Sequence, residues 1–263
     1  MPETMSPQPA LSLIVAVYNR AKFVAAAIGS ILRQTRKDFE VIVWNDASTD
    51  DSLEVARRAA GDDPRVKIIH AEHQGFSRSL NAAAKHATGK YFGWVDSDDA
   101  LMPTALEETA AILDRERDVG MVYTDYLAMD EDGRVKGPGK RTAIPFSKDR
   151  LLVDFMTFHF RLMRREWFDR AGGIDESFET AQDYDLCLKL SELTEIRHLA
   201  RPLYLYRVHP DTVSAGRRLE QIMASQEAIR RALVRRGLDK EMEIDVEIVG
   251  KFRLKPRPKS KSH

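Results

Sequence analysis

The chain has 263 residues, with 41 Lys+Arg against 41 Asp+Glu, 43% apolar residues and one cysteine, Cys187. Those values exclude a disordered chain, a disulfide framework and a Cys-cluster zinc site, and no apolar run reaches the ~18 residues of a membrane helix. The net charge of zero is unevenly spread: residues 1–196 carry 25 basic and 33 acidic side chains, and residues 197–263 carry 16 and 8.

Met1–Ala10 has no basic segment followed by an apolar one, so no signal peptide is read and a cytoplasmic location is expected. Leu11–Val17 is a short apolar run suited to a buried parallel strand. Ala21–Gln34 places apolar pairs at steps of four, which gives one helical face. Val41–Trp44 follows as a strand, and Ser48, Thr49 and Asp50 offer caps for a helix over Ser52–Ala60. Val66–His70 and Tyr91–Val95 read as strands around a helix at Ser77–Ala87. Pro103 opens a helix reaching about Arg115, and Val119–Tyr123 is a fifth strand. Strands alternating with helices predict a mostly parallel α/β sheet with helices on both faces.

Beyond Asp130 the pattern changes. Arg134–Ser147 is a long loop of a kind usually functional or mobile. Phe158–Met163 is strand-like, Glu166–Ala171 a short helix, Ala181–Leu193 a helix and Ile196–Val208 extended. Arg217–Arg236 is a basic amphipathic helix. Met242, Ile244, Val246 and Ile248 alternate with polar residues, which predicts a half-exposed strand. Lys251–His263 is basic, contains two prolines and is expected to be disordered.

Ligands of open α/β sheets sit beyond the carboxyl ends of the strands. There the sequence places Tyr18-Asn19-Arg20, Asn45-Asp46, Asp96-Ser97-Asp98-Asp99 and Thr124-Asp125. Three carboxylates in four residues repel one another unless a cation lies between them, and hard oxygen donors suit Mg²⁺ or Mn²⁺. The acids before Pro103 equally suit the N-terminus of its helix. Asp46 equally suits an Asx turn, and Asp183 and Asp185 a helix start. His209 beside Pro210 equally suits a surface. No Gly-rich phosphate loop follows the first strand, so neither a P-loop nor a dinucleotide fingerprint is present.

These motifs give the chain a family resemblance. VAVYNR at 15–20, VIVWNDASTDDS at 41–52, Gly75–Asp99 ending GKYFGWVDSDD, GGIDESFETAQDYDLCLKL at 172–190, and Tyr206–His209 followed by Ser214 come in order. Over residues 11–215 the chain resembles a family 2 glycosyltransferase of the GT-A fold. The resemblance implies one domain. Residues 11–130 would be the nucleotide-sugar half and 131–215 the acceptor and base half. A helix-strand extension at 216–250 and a tail at 251–263 would follow, after a flexible 1–10.

By the same resemblance, Asp183 is the catalytic base. Val17, Tyr18, Asn19, Asp46, Arg78 and Asp96 line the donor. Asp96, Asp98 and His209 hold a divalent metal, and Gly173, Asp175 and Glu176 touch the acceptor. Relatives carry Arg immediately before the Asn at position 81, where this chain has Leu80, which weakens the case for Arg78. The processive branch's Q-x-x-R-W motif and membrane helices are absent, so one sugar per event is expected, with inversion, from a UDP-linked donor to a glycan or lipid-linked acceptor. An inactive nucleotide-binding module and a sugar nucleotidyltransferase are the competing readings. The second would need a phosphate loop that YNRAKF does not supply. No nucleic-acid partner is expected. The basic C-terminus is a candidate for peripheral contact with an anionic membrane face.

Overall fold

The computed structural model describes residues 8–248 apart from 211 and 213–215. Ser214 and the basic tail therefore lie outside the described residues.

Four runs become parallel strands, β3 at the sheet edge and the others inside it: β1 (Leu11–Val17), β2 (Phe39–Asp46), β3 (Val66–Ala71) and β4 (Tyr91–Trp94). Leu13 lies opposite Val41 and Val15 opposite Val43, so β1 and β2 run in register. Every residue of β1 is buried, which is why it reads as continuous rather than alternating. Helices α1 (Val24–Leu32), α2 (Ser52–Ala60), α3 (Phe76–Ala84) and α4 (Ala105–Arg115) supply the crossovers.

The second half threads into the same sheet. A two-residue strand, β5 (Ala100–Leu101), precedes α4 and pairs antiparallel with the last strand. β6 (Val119–Met129) is followed by β7 (Val135–Pro138), β8 (Arg161–Arg164), α5 (Arg165–Arg170), α6 (Gln182–Leu193), β9 (Glu195–Arg207) and α7 (Arg218–Arg236). The strand order is β3-β2-β1-β4-β8-β6-β9-β5, with β7 on β6. β8 runs antiparallel to both neighbours, β4 and β6. Gly93 permits this approach, since a Cβ there would come within 2.7 Å of the Arg161 carbonyl oxygen.

Apolar cores fill both faces. One contains Val24, Ile28, Leu106 and Leu113 beneath α1 and α4. The other contains Leu80, Leu186, Leu190 and Leu233 beneath α3, α6 and α7. Trp44 and Trp94 belong to it.

Three expectations are corrected. β6 continues past Thr124-Asp125 to Met129, because Tyr126 and Met129 are buried and bulges absorb the irregular pairing with β9. The 134–147 loop contains β7, which folds back through a turn where Asp130 accepts backbone N–H bonds from Asp132 and Arg134. Residues 242–248 form no strand. Ile244 packs against the core while Met242 and Ile248 stay exposed, so the alternation found an apolar anchor but no backbone ladder.

Candidate functional site

The first turn is built from β1 and β2 together. Asn19 adopts φ +52°, its Oδ1 accepts from the Thr49 backbone N–H at 2.8 Å, and its own N–H donates to Ser48 Oγ. Asn19 is thus a stitch between two loops. Beside it Tyr18 is 43% exposed and stacks on His73, with ring centroids 4.4 Å apart.

Asp46 closes β2 and is buried. Its carboxylate accepts the backbone N–H groups of Gln74 at 2.9 Å and Gly75 at 3.0 Å, and His73 Nδ1 lies 2.9 Å from Oδ2. The Asx-turn alternative misses this, because the partners come from the loop after β3.

Past β4, Asp96, Asp98 and Asp99 diverge. Asp98 Oδ2 accepts from Arg20 Nε at 3.2 Å and lies 3.0 Å from His209 Nε2. Asp99 turns inward, where Arg207 N–H donates to it at 2.7 Å. Burial, then Asp96 and Asp98, hold its carboxyl well above the usual range. Asp96 Oδ1 is sealed from solvent without a hydrogen-bond partner. Burial first, then the charge of Asp98, push its pKa up to about 7, with Asp183 adding to the rise and Arg161 opposing it.

Asp183 opens α6. Its Oδ1 accepts from the Tyr184 N–H, and its Oδ2 from Arg161 Nη2 at 3.1 Å. Asp185, by contrast, is wholly buried and paired with Lys189 at 2.7 Å.

Val17, Tyr18, Asp46, Asp96, Asp98 and Asp183 line one cleft of about 830 Å³. Phe155, Phe158, α7 and residues 244–247 also line it. His209 is buried just behind Asp98 and packs on Phe23. Arg78 does not line the cleft; it lies 3.6 Å from Glu176 on the surface. Gly173, Asp175 and Glu176 are also outside the lining. Asn81 Nδ2 donates to Glu176 at 3.0 Å, and Arg231 Nη1 donates to Asp175 at 2.8 Å, so local pairing holds both away from the cleft.

No group of three or more His, Cys, Asp or Glu among the described residues is arranged to hold a metal ion. The chemistry of the donors nevertheless fits a divalent cation. Asp96 offers an unpartnered carboxylate oxygen, Asp98 sits two residues on, and His209 supplies a nitrogen. Mg²⁺ characteristically takes one or two carboxylates and completes its shell with phosphate and water.

Sequence reasoning placed Arg20 at a strand end but gave no individual role to it, to His159 or to Arg161, all of which border these carboxylates. The signal available was an arginine within the apolar run Phe158–Met163, since a buried guanidinium requires a partner.

A family model described as glycosyl transferase family 2 matches residues 12–172. A chondroitin synthase of Pasteurella multocida is 34% identical over 206 residues, covering 78% of this chain and 21% of that protein. A chondroitin synthase of Escherichia coli is 30% identical over 237 residues, covering 90% and 34%. The chain thus spans between about a fifth and a third of the length of these relatives. Among solved structures, S. aureus TarS 1-349 in complex with UDP superposes with a TM-score of 0.67 at 22% identity, covering 85% of this chain and 65% of that one. The mannosyltransferase PcManGT from Pyrobaculum calidifontis, in complex with GDP-Man and Mn²⁺, gives 0.65 at 23% identity, covering 86% and 65%. At these identities the two structures show a common fold.

Proposed function

The chain belongs to glycosyl transferase family 2, and from that premise we propose that it transfers one sugar from a UDP-linked donor to an acceptor hydroxyl with inversion. The observation that carries this reading is convergence. Asp46 from β2, Asp96 and Asp98 beyond β4, and Asp183 from α6 line one cleft although 137 positions separate the first from the last.

The roles follow from chemistry. Tyr18 and the loop braced by Asp46 form the end of the cleft suited to a planar base. Asp96 and Asp98, with His209 behind, would hold Mn²⁺ or Mg²⁺. Such a cation, when bound, stabilises charge on a diphosphate leaving group. Asp183 accepts the proton of the attacking acceptor hydroxyl. One base and one displacement give an inverted product. The diphosphate leaves as an anion, so no second carboxylic acid is needed, unlike hydrolysis by a carboxylate pair.

The acceptor, a glycan or a lipid-linked saccharide, would enter past Phe155, Phe158 and Arg141, the last lying 4.9 Å over the Phe158 ring. Residues 134–147 would close over bound donor. A slowing of hydrogen exchange there on adding UDP and Mn²⁺ is expected, and unchanged exchange removes the lid. Membrane docking now rests on residues 251–263. Of the basic residues in α7, Arg230, Arg231, Arg235 and Arg236 already pair with Glu227, Asp175 and Glu192. Flotation with anionic vesicles, with and without the tail, tests this.

The decisive experiment incubates the full chain with a panel of nucleotide sugars, Mn²⁺ and candidate acceptors. Nucleoside diphosphate release is followed, and product anomers are assigned by proton NMR. An inverted product supports the proposal; a retained configuration, or no turnover with any donor, refutes it.

A further inference from the structure

Arg161 is the largest fully buried side chain of the described residues, with 1% of its surface exposed. It stands at the start of β8, the strand that runs against its neighbours, and so reaches the ligand edge of the sheet. Its Nη2 donates to Asp183 Oδ2 at 3.1 Å and its Nη1 to the Thr157 carbonyl at 3.1 Å. The guanidinium lies 5.0 Å from the centre of a Trp94 ring.

Nη2 also lies 3.3 Å from His159 Nδ1 and 3.4 Å from its Nε2. Nε2 is in turn 3.3 Å from Asp96 Oδ2. His159 therefore lies between the Arg161 guanidinium, which also donates to Asp183, and the carboxylate of Asp96.

Stability does not explain a cation here. Buried ion pairs are weak stabilisers, and an apolar side chain would pack as well against Trp94 and Phe155. Arg164, three residues along the same strand, shows what a structural arginine does in this fold. Its guanidinium donates to the carbonyl oxygens of Val119, Leu113 and Glu116, closing the end of α4. Arg161 instead spends its best-placed donor on a carboxylate that faces the cleft.

We propose that Arg161 is a positioning residue for glycosyl transfer, fixing Asp183 for attack by the acceptor while His159 ties the same guanidinium to donor-side Asp96. This rests on the transfer reading above. Tyr184 N–H holds Oδ1 and Arg161 holds Oδ2 of a carboxylate that lines the cleft. Arg161 is buried and does not line the cleft, so its loss should affect the rate of the bound complex more than its formation.

The test compares full-length wild type, Arg161→Met and Arg161→Lys, each checked by circular dichroism and thermal melting. The donor is the nucleotide sugar that wild type turns over, and calorimetry uses UDP with Mn²⁺. Arg161→Met should lower kcat by on the order of 10²-fold, within the range of general-base effects, and change donor KM and UDP affinity by less than about threefold. Arg161→Lys should recover about tenfold of that loss by restoring a cation beside Asp183. If Arg161→Met does not fold, Arg161→Lys alone decides: its kcat should fall with donor KM unchanged. A folded Arg161→Met with wild-type kcat, equal kcat for the Met and Lys variants, or a loss confined to KM overturns the positioning role while leaving the transferase reading intact. Absence of turnover by wild type overturns both.

Discussion

Replacing Asp96 with Asn should stabilise the ligand-free chain while removing its capacity to bind UDP with Mn²⁺. The folded carboxyl keeps its proton up to a pKa of about 7, against 3.8 in the unfolded chain. Between those values the unfolded chain binds fewer protons, so this group lowers stability as pH rises, and its effect levels off above about 7. A rise of about three pKa units corresponds to about 4 kcal/mol as a ceiling. The side chain is 26% exposed, and solvent reaching it brings the expected gain to about 2 kcal/mol at pH 8. Relief of Asp99, whose carboxyl is raised partly by Asp96, acts in the same direction. His159, held below its usual value by burial, acts oppositely under acid conditions in both proteins. The assay is urea unfolding of wild type and Asp96→Asn at pH 5, 6, 7 and 8. The variant's advantage should grow from pH 5 to about 7 and then hold. An advantage that shrinks with pH, or a variant less stable than wild type at pH 8, refutes the reasoning.

Asp183→Asn should reduce transfer by at least about 10²-fold while leaving UDP affinity within about threefold, since the base acts on the acceptor; turnover near wild type would assign the proton elsewhere. Chelation by EDTA should abolish transfer and weaken UDP binding in calorimetry, and full activity in chelator would exclude a divalent cation. Gly93→Ala should cost roughly 1–3 kcal/mol in thermal unfolding, because its Cβ must displace the β8 backbone at the Arg161 carbonyl. Unchanged stability would show that β4 and β8 can separate freely.

The inner strands and their crossovers could be read from sequence because burial on both faces forces unbroken apolar runs such as Leu11–Val17. β5 has two residues, too short for any periodicity to register, and β7 is mostly exposed, so no apolar run marks it. Residues 242–248 show the opposite failure, a clear alternation that meets no strand edge. In the site, Asp46, Asp96 and Asp98 could be placed because each follows a strand, and ligand sites gather at those ends. Arg78 and Glu176 looked equally available, yet lie 3.6 Å from each other outside the cleft. His159 and Arg161 acquire meaning only from the reversed direction of β8. Nothing local in the run HFRLM states that direction.

The antiparallel seat of β8 between β4 and β6 also governs how the chain can be divided. A piece ending near residue 150 would contain both walls of that seat but not the strand that fills it, leaving two inner edges with unpaired backbone groups. A piece beginning there would carry β8 with neither neighbour. β8 thus joins the two halves named from sequence into one sheet. Fragments cut within residues 140–157 should be insoluble or unfolded alone and should recover the fold only when mixed, as a split protein that reports its own reassembly.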